Sequence, residues 1–78
     1  MITSLKFTNS SDKTIKLILE PWAEEYEVLA GMTVEIVTSE PKEKEIEVEY
    51  EGADIIIYGW SDNMSVLSQG EELSPSFG

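Results

Sequence analysis

Hydrophobic and polar residues alternate with a period of two along most of the chain, a pattern typical of β-strands with one buried face. The clearest run is 45–51, where Ile46, Val48 and Tyr50 alternate with glutamates. A helix would scatter these three side chains around its axis, whereas a strand places them on one face. No segment shows convincing helical periodicity. The same pattern predicts further strands at 5–7, 14–20, 25–29, 33–38, 54–60 and 64–68.

Turn-forming residues separate the predicted strands at roughly ten-residue spacing. Polar clusters stand at 9–12 and 61–63, Pro21 ends the second strand, and a glycine follows Ala30. This spacing predicts an all-β fold, either a small antiparallel β-sandwich or a partly open barrel of about seven short strands. We expect a single β domain over 1–78, with 74–78 as a flexible tail.

The assignment of side chains to strand faces also predicts a core. Segment 55–58 is apolar on both faces, so we expect it to be the most buried strand, in the middle of a sheet. Gly59 beside Trp60 predicts a bulge or a close approach of the backbone. The predicted core residues are Leu5, Phe7, Ile15, Leu17, Leu19, Val34, Ile36, Ile46, Val48, Tyr50, Ile55, Ile57 and Val66.

One motif resembles a known group of proteins. Residues 19–26 and the later segments 30–31 and 58–60 are similar to small uncharacterised bacterial β-proteins with the pattern L-E-P-W-G-E-E-Y, then P-G, then Y-G-W. The resemblance spans roughly residues 15 to 70. It implies a bacterial source and a compact β-fold, and it implies no activity. The chain departs from the pattern at Ala23 and Ala30, and a missing glycine at position 23 bears on any loop that needs a positive φ there.

The charge balance changes the range of possible partners. The 78 residues include 5 lysines and 16 Asp plus Glu, for a formal net charge of −11. This charge repels nucleic acid phosphates and anionic lipids, so we expect neither nucleic acid nor membrane as a partner. A basic protein is the expected partner, and the chain itself is expected to be a monomer or a weak homodimer.

The residue inventory removes most enzyme chemistry. Histidine and cysteine are absent, which excludes Ser-His and Cys-His nucleophile pairs, thiolate metal centres and disulfides. Arginine is absent too, which excludes a bidentate phosphate clamp. We therefore expect no enzyme and no cofactor. No segment approaches the ~20 apolar residues of a membrane span, and no signal peptide is recognisable, so the expected location is the cytoplasm.

A row of glutamates is the first candidate binding surface. Glu45, Glu47, Glu49 and Glu51 are predicted to share one strand face, about 6.8 Å apart from one to the next. Such a row could dock a basic partner. It could equally be a solvated outer face that protects a sheet edge, since charges discourage pairing between strands of different molecules.

Aromatic residues beside carboxylates form the second candidate. Trp22 with Glu24, Glu25 and Tyr26 could bind a sugar or a protein, or Trp22 could close one end of the core. Trp60 could pack in the core, or it could meet Trp22 in a surface groove. The preferred interpretation is a non-catalytic acidic binding module that acts through protein–protein contact. The alternatives are a carbohydrate-binding β-sandwich that uses Trp22, Tyr26 and Trp60, an immunity-type inhibitor of a basic toxin, and a homodimer.

Overall fold

The fold is known from a computed structural model that describes residues 3–76. These residues contain no helix and form eight short strands in two four-stranded sheets. The strands are β1 (Ser4–Thr8), β2 (Ile15–Glu20), β3 (Glu24–Val28), β4 (Thr33–Val37), β5 (Glu47–Glu51), β6 (Asp54–Tyr58), β7 (Ser65–Ser68) and β8 (Glu71–Glu72). The predicted all-β sandwich is confirmed. The additional strand is β8, which pairs with β7.

The order of strands is β1-β4-β7-β8 in the first sheet and β3-β2-β6-β5 in the second sheet. Neighbouring strands are antiparallel with one exception among the described residues, the parallel pair β2–β6 at the centre of the second sheet. A parallel pair cannot be joined by a tight hairpin, because the chain must return to the same end of the sheet. Here the returning chain forms β3, β4 and β5 on the way.

The β5–β6 and β7–β8 hairpins each have a two-residue turn. Gly52, at φ +62°, is the first central residue between β5 and β6, and this is the position at which a type II′ turn takes glycine. Gln69 and Gly70, at φ 51° and 80°, connect β7 to β8 as a type I′ turn requires. The first loop fixes Glu51 opposite Asp54, and with it the register of the whole β5–β6 pair.

The core lies between the two sheets. Of the predicted core residues, Leu17, Leu19, Val34, Ile36, Ile55, Ile57 and Val66 are buried, and Leu5, Phe7, Ile15 and Ile46 are half-buried against them. The prediction is wrong for Val48 and Tyr50, which are 46% and 76% exposed. Both belong to β5, one of the two edge strands of the second sheet, and the described residues leave much of their inner face uncovered. The core also contains Tyr26, Val28 and Trp60.

A buried asparagine joins the loop after β1 to the end of β3. The Asn9 side-chain amide donates from Nδ2 to the carbonyls of Lys13 and Val28, at 2.7 and 3.0 Å. Its Oδ1 accepts from the backbone N–H and the hydroxyl of Ser11. Every polar atom of this buried side chain therefore has a partner, which is what burial of an amide requires.

Candidate partner-binding surface

The outer face of the second sheet collects acidic side chains from all four of its strands. Residues directly opposite each other in the register share a face, so this face is assigned from the pairs β3–β2, β2–β6 and β6–β5. We call it the acidic face. Its charged residues are Glu20, Glu25, Glu27, Glu47, Glu49, Glu51 and Asp54, together with Lys16.

The charge is concentrated on this one sheet. Seven carboxylates and one ammonium group account for six of the eleven excess negative charges of the chain. The outer face of the first sheet carries Lys6, Glu35 and Glu72 among hydroxyl and apolar side chains, an excess of one. Strands about 4.8 Å apart and alternate residues about 6.8 Å apart lie within one Debye length at physiological salt, so the fields of the carboxylates add.

The centre of the acidic face is apolar. Ile18 and Ile56 are opposite each other on β2 and β6 and remain half-buried although no second layer formed by the described residues covers them. Tyr58 follows on β6 and donates its hydroxyl proton to Glu49 Oε1 at 2.9 Å. This hydrogen bond and the charge of Glu49 raise the pKa of Tyr58. The face thus has apolar and neutral aromatic groups in the middle and carboxylates around them.

One ion pair crosses the acidic face. Lys16 Nζ lies 3.3 Å from Glu25 Oε1, and both side chains keep access to water. Exposed pairs of this kind contribute only about 0.2–1 kcal/mol. Lys16 therefore neutralises one carboxylate locally, and within residues 3–76 no other ammonium group pairs with a carboxylate of this face.

The predicted row of glutamates is present, but it is shorter than expected. Glu47, Glu49 and Glu51 share the outer face of β5, and all three are exposed. Glu45 precedes the strand in a bend, so its predicted place in the same row is wrong. The reason is that pairing with β6 begins at Glu47, opposite Tyr58, where β6 ends.

Trp22 lies on the surface against Gly59. It is 38% exposed, and a methyl group at Gly59 would lie 2.6 Å from two of its ring carbons. The predicted close approach of the backbone at Gly59 is therefore confirmed. The turn at 21–23 places Ala23 at φ 57°, and the backbone N–H of Ala23 donates to Glu20 Oε1 at 3.1 Å. The alanine adopts the left-handed backbone conformation even though it lacks the freedom of glycine.

Tyr26 and Trp60 lie inside the molecule. Tyr26 is 6% exposed and donates its hydroxyl proton to Glu24 Oε1 at 3.1 Å. Burial, followed by the nearby charge of Glu24, raises the pKa of Tyr26 to about 12. Trp60 is fully buried, so the interpretation of it as a core residue is confirmed and a surface groove with Trp22 does not form. Neither ring is accessible to a partner on this surface.

A network of hydroxyl groups holds the loop between β4 and β5 on the core. Thr38 Oγ1 donates to Ser61 Oγ at 2.8 Å, and Ser61 Oγ donates to the carbonyl of Glu40 at 2.6 Å. The backbone N–H of Lys42 also donates to the Trp60 carbonyl, at 2.7 Å. The Lys42 ammonium group pairs with Asp62, which raises the pKa of Lys42. The start of this loop is therefore held on the core. The exposed Glu45 and the glutamates of β5 come after it in the chain.

Several surface residues were not identified from the sequence. The outer-face residues Ile18, Ile56 and Glu27 were assigned no site because periodicity gives the face of a strand but not its neighbours. The sequence indicates the apolar part of this surface only through Ile18, an apolar residue on the polar face of its strand. Nothing in the sequence indicates that Val48 and Tyr50 are exposed, because they alternate with glutamates as the buried residues of a strand do.

No family model, no curated protein and no solved structure matches the chain. Among residues 3–76, no group of three or more acidic side chains converges on a position that could hold a metal ion. The described part of the chain also contains no helix with the length and apolar character needed to cross a membrane.

Proposed function

We propose that this protein is a non-catalytic acidic binding module that contacts a basic protein through the acidic face. The observation that carries the proposal is the segregation of charge between the two outer faces: the second sheet presents seven carboxylates around an apolar centre, whereas the outer face of the first sheet has an excess of one negative charge. A partner with lysine or arginine side chains would relieve the repulsion among these carboxylates. Electrostatic complementarity of this kind speeds association and selects partners.

The apolar centre supports contact with a protein rather than with small ions. Ile18, Ile56 and the Tyr58 ring offer area that a partner can remove from water, at about 25 cal/mol per Å². Interfaces commonly combine an apolar centre with a polar rim, and tyrosine is enriched in them. The surface fits that arrangement.

The carbohydrate alternative has lost most of its proposed site. Of the three aromatic residues assigned to sugar stacking, Tyr26 and Trp60 are buried and Trp22 alone is accessible. Trp22 also rests one side of its ring on Gly59. An inhibitor of a basic toxin would be a narrower version of the proposed function, since it would use the same acidic face.

The test compares two variants with the same change of charge. The first variant replaces Glu47, Glu49 and Glu51 by glutamine on the acidic face. The control variant replaces Glu35, Glu71 and Glu72 by glutamine in the first sheet. Each immobilised protein is used to capture partners from a lysate of the source organism at low and high salt, and captured proteins are identified by mass spectrometry.

We expect wild type and the control variant to retain the same basic protein at low salt. The acidic-face variant should not retain it, and high salt should release it from wild type and from the control variant. Equal capture by the two variants would show that the acidic face does not carry binding. Inhibition of a catalytic activity of the captured protein would identify the narrower role as an inhibitor.

A further inference from the structure

β5 is an edge strand that is open in two directions. Its free edge has no partner among the described residues, and its inner face leaves Val48 and Tyr50 exposed. Proteins usually protect such edges with short strands, prolines, bulges or charges that point inward. The glutamates of β5 point to the outer face alone, and the inner face of the same strand is apolar.

The register shows which backbone groups of β5 are free. The tight turn joins the Glu51 carbonyl to the Asp54 N–H, so this pair is a hydrogen-bonded one. Hydrogen-bonded and non-hydrogen-bonded pairs alternate along an antiparallel ladder. The N–H and C=O groups of Val48 and Tyr50 therefore point away from β6, toward the free edge, where two donors and two acceptors are available to another strand.

We propose that β5 binds an extended basic segment of the partner protein by strand addition. This inference rests on the proposed function and names the part of the partner that is recognised. The added strand would place lysine or arginine beside Glu47, Glu49 and Glu51 on the acidic face. Its alternate residues would be apolar and would cover Val48 and Tyr50 on the inner face.

Charge complementarity distinguishes this occupant from a second copy of the chain. Two copies of β5 paired edge to edge in antiparallel orientation would set Glu47, Glu49 and Glu51 against the same three residues of the other copy. Like charges directly opposite each other destabilise a strand pair. A segment that alternates basic and apolar residues replaces this repulsion by attraction and keeps the apolar contacts.

Two depressions at the ends of β5 fit the same occupant. One, of about 630 Å³, is lined by Glu43, Glu45 and Glu47 together with the apolar side chains of Ile46 and Val48. A lysine or arginine could lay its alkyl stem on the apolar part and place its charge among the carboxylates. The other depression, of about 260 Å³, lies beside the inner face of β5 and includes Tyr50, Ile15 and Ile55. It suits an apolar side chain.

The test uses synthetic peptides that alternate lysine and valine. In antiparallel addition, the peptide residues that exchange hydrogen bonds with Val48 and Tyr50 lie directly opposite them, on the inner face, and these are the valines. N-methylation of the valines should then weaken binding at least tenfold, whereas N-methylation of the lysines should change it less than about threefold. In parallel addition, Val48 and Tyr50 would instead exchange hydrogen bonds with the lysines that flank the opposite valines. Methylation of the lysines would then weaken binding, and methylation of the valines would not. Isothermal titration calorimetry gives the affinities.

A pair of protein variants provides an independent measurement. Val48→Pro removes the outward N–H, and proline is tolerated on an edge strand where the N–H faces solvent. Val48→Ala keeps the N–H and truncates the side chain. We expect Val48→Pro to bind the unmodified peptide at least tenfold more weakly than Val48→Ala. Far-ultraviolet circular dichroism checks that both variants fold. If Val48→Pro does not fold, the binding of the methylated peptides to wild-type protein still tests strand addition.

The outcomes separate this inference from the proposed function. Sensitivity to methylation at one set of residues supports strand addition and reports its direction. Salt-dependent binding that survives both methylated peptides overturns strand addition and leaves the acidic face as a binding surface. If the unmodified peptide does not bind, strand addition is overturned whatever the lysate experiment shows.

Discussion

The two edge strands of the second sheet, β3 and β5, have the same composition and opposite environments. Each contains three glutamates, one tyrosine and one valine. On β3, Tyr26 and Val28 belong to the core. On β5, Val48 and Tyr50 are exposed. Composition therefore does not decide whether an edge strand of this protein is covered.

The difference lies in what meets each strand. Tyr26 and Val28 pack in one cluster with residues of the first sheet. The free edge of β3 is also occupied, because the backbone N–H and the hydroxyl of Ser76 both donate to the Glu25 carbonyl, at 2.6 and 2.9 Å. Ser76 belongs to the predicted flexible tail, and it is bound here. Phe77 and Gly78 of that predicted tail lie outside the described residues. β5 has neither kind of cover in the described part of the chain, which is why its side chains and its free edge remain exposed.

The most direct way to test this comparison is to truncate the two tyrosines. Tyr26→Ala should lower the free energy of unfolding by about 3 kcal/mol, because it removes a buried ring and leaves a cavity. Tyr50→Ala should lower it by less than about 1 kcal/mol, since the ring is largely in water already. Urea unfolding followed by tryptophan fluorescence measures both. Similar losses would mean that β5 is covered in solution.

Alkaline pH should destabilise the folded protein through the buried Tyr26. The pKa of Tyr26 is raised to about 12 in the folded state, from 10.0 in the unfolded chain. The folded state therefore holds its proton more tightly, and its stability should fall as pH rises above about 10. The loss should reach about 1 kcal/mol near pH 11. Tyr26→Phe should remove this part of the pH dependence in urea unfolding measured from pH 9 to pH 11, and an unchanged dependence in this variant would contradict the assignment to Tyr26.

Removing the cover from the edge of β3 should make it resemble β5. Ser76→Pro deletes the N–H that reaches the Glu25 carbonyl and should lower the free energy of unfolding by about 1 kcal/mol. Ser76→Ala keeps that N–H and should lower it by less. Amide hydrogen exchange would locate the effect. If protection in β3 does not change between the two variants, the backbone contact of Ser76 is not what secures this edge.

The turns beside the two strands offer the smallest and most controlled test. Ala23 and Gly52 both have a positive φ, 57° before β3 and 62° after β5. Ala23→Gly should raise the free energy of unfolding by about 0.5–1 kcal/mol, because the strain of a side chain in this conformation exceeds the entropic cost of glycine. Gly52→Ala should lower it by a similar amount. Thermal unfolding of both variants checks the opposite signs.

Periodicity predicted what is local in this fold. The strands, the face of each side chain and the close approach at Gly59 all follow from residues near one another in sequence. The central place of β6 in its sheet could also be predicted, since a run that is apolar on both faces belongs in the middle of a sheet. The expectation that it is the most buried strand is wrong, because Tyr58 is exposed whereas β4 has no exposed residue. The fold class required nothing further.

The features that could not be predicted depend on which strands pair with each other. The parallel pair β2–β6 brings Ile18 beside Ile56, and alternation within either strand contains no information about that neighbour. The acidic face could be predicted only as far as the glutamates of β5 for the same reason. The exposure of Tyr50 could not be predicted at all, because a strand does not record how far the opposite sheet extends.

The buried amide of Asn9 makes the two glycosylation sequons of the chain unequal. Asn9-Ser10-Ser11 and Asn63-Met64-Ser65 both match the acceptor pattern. A glycan would attach to Nδ2 of Asn9, and that atom already donates to two backbone carbonyls inside the fold. Asn63 is exposed. In a eukaryotic secretory host, a sugar chain at Asn63 is compatible with the folded domain, whereas one at Asn9 would disrupt the contact between this loop and the end of β3.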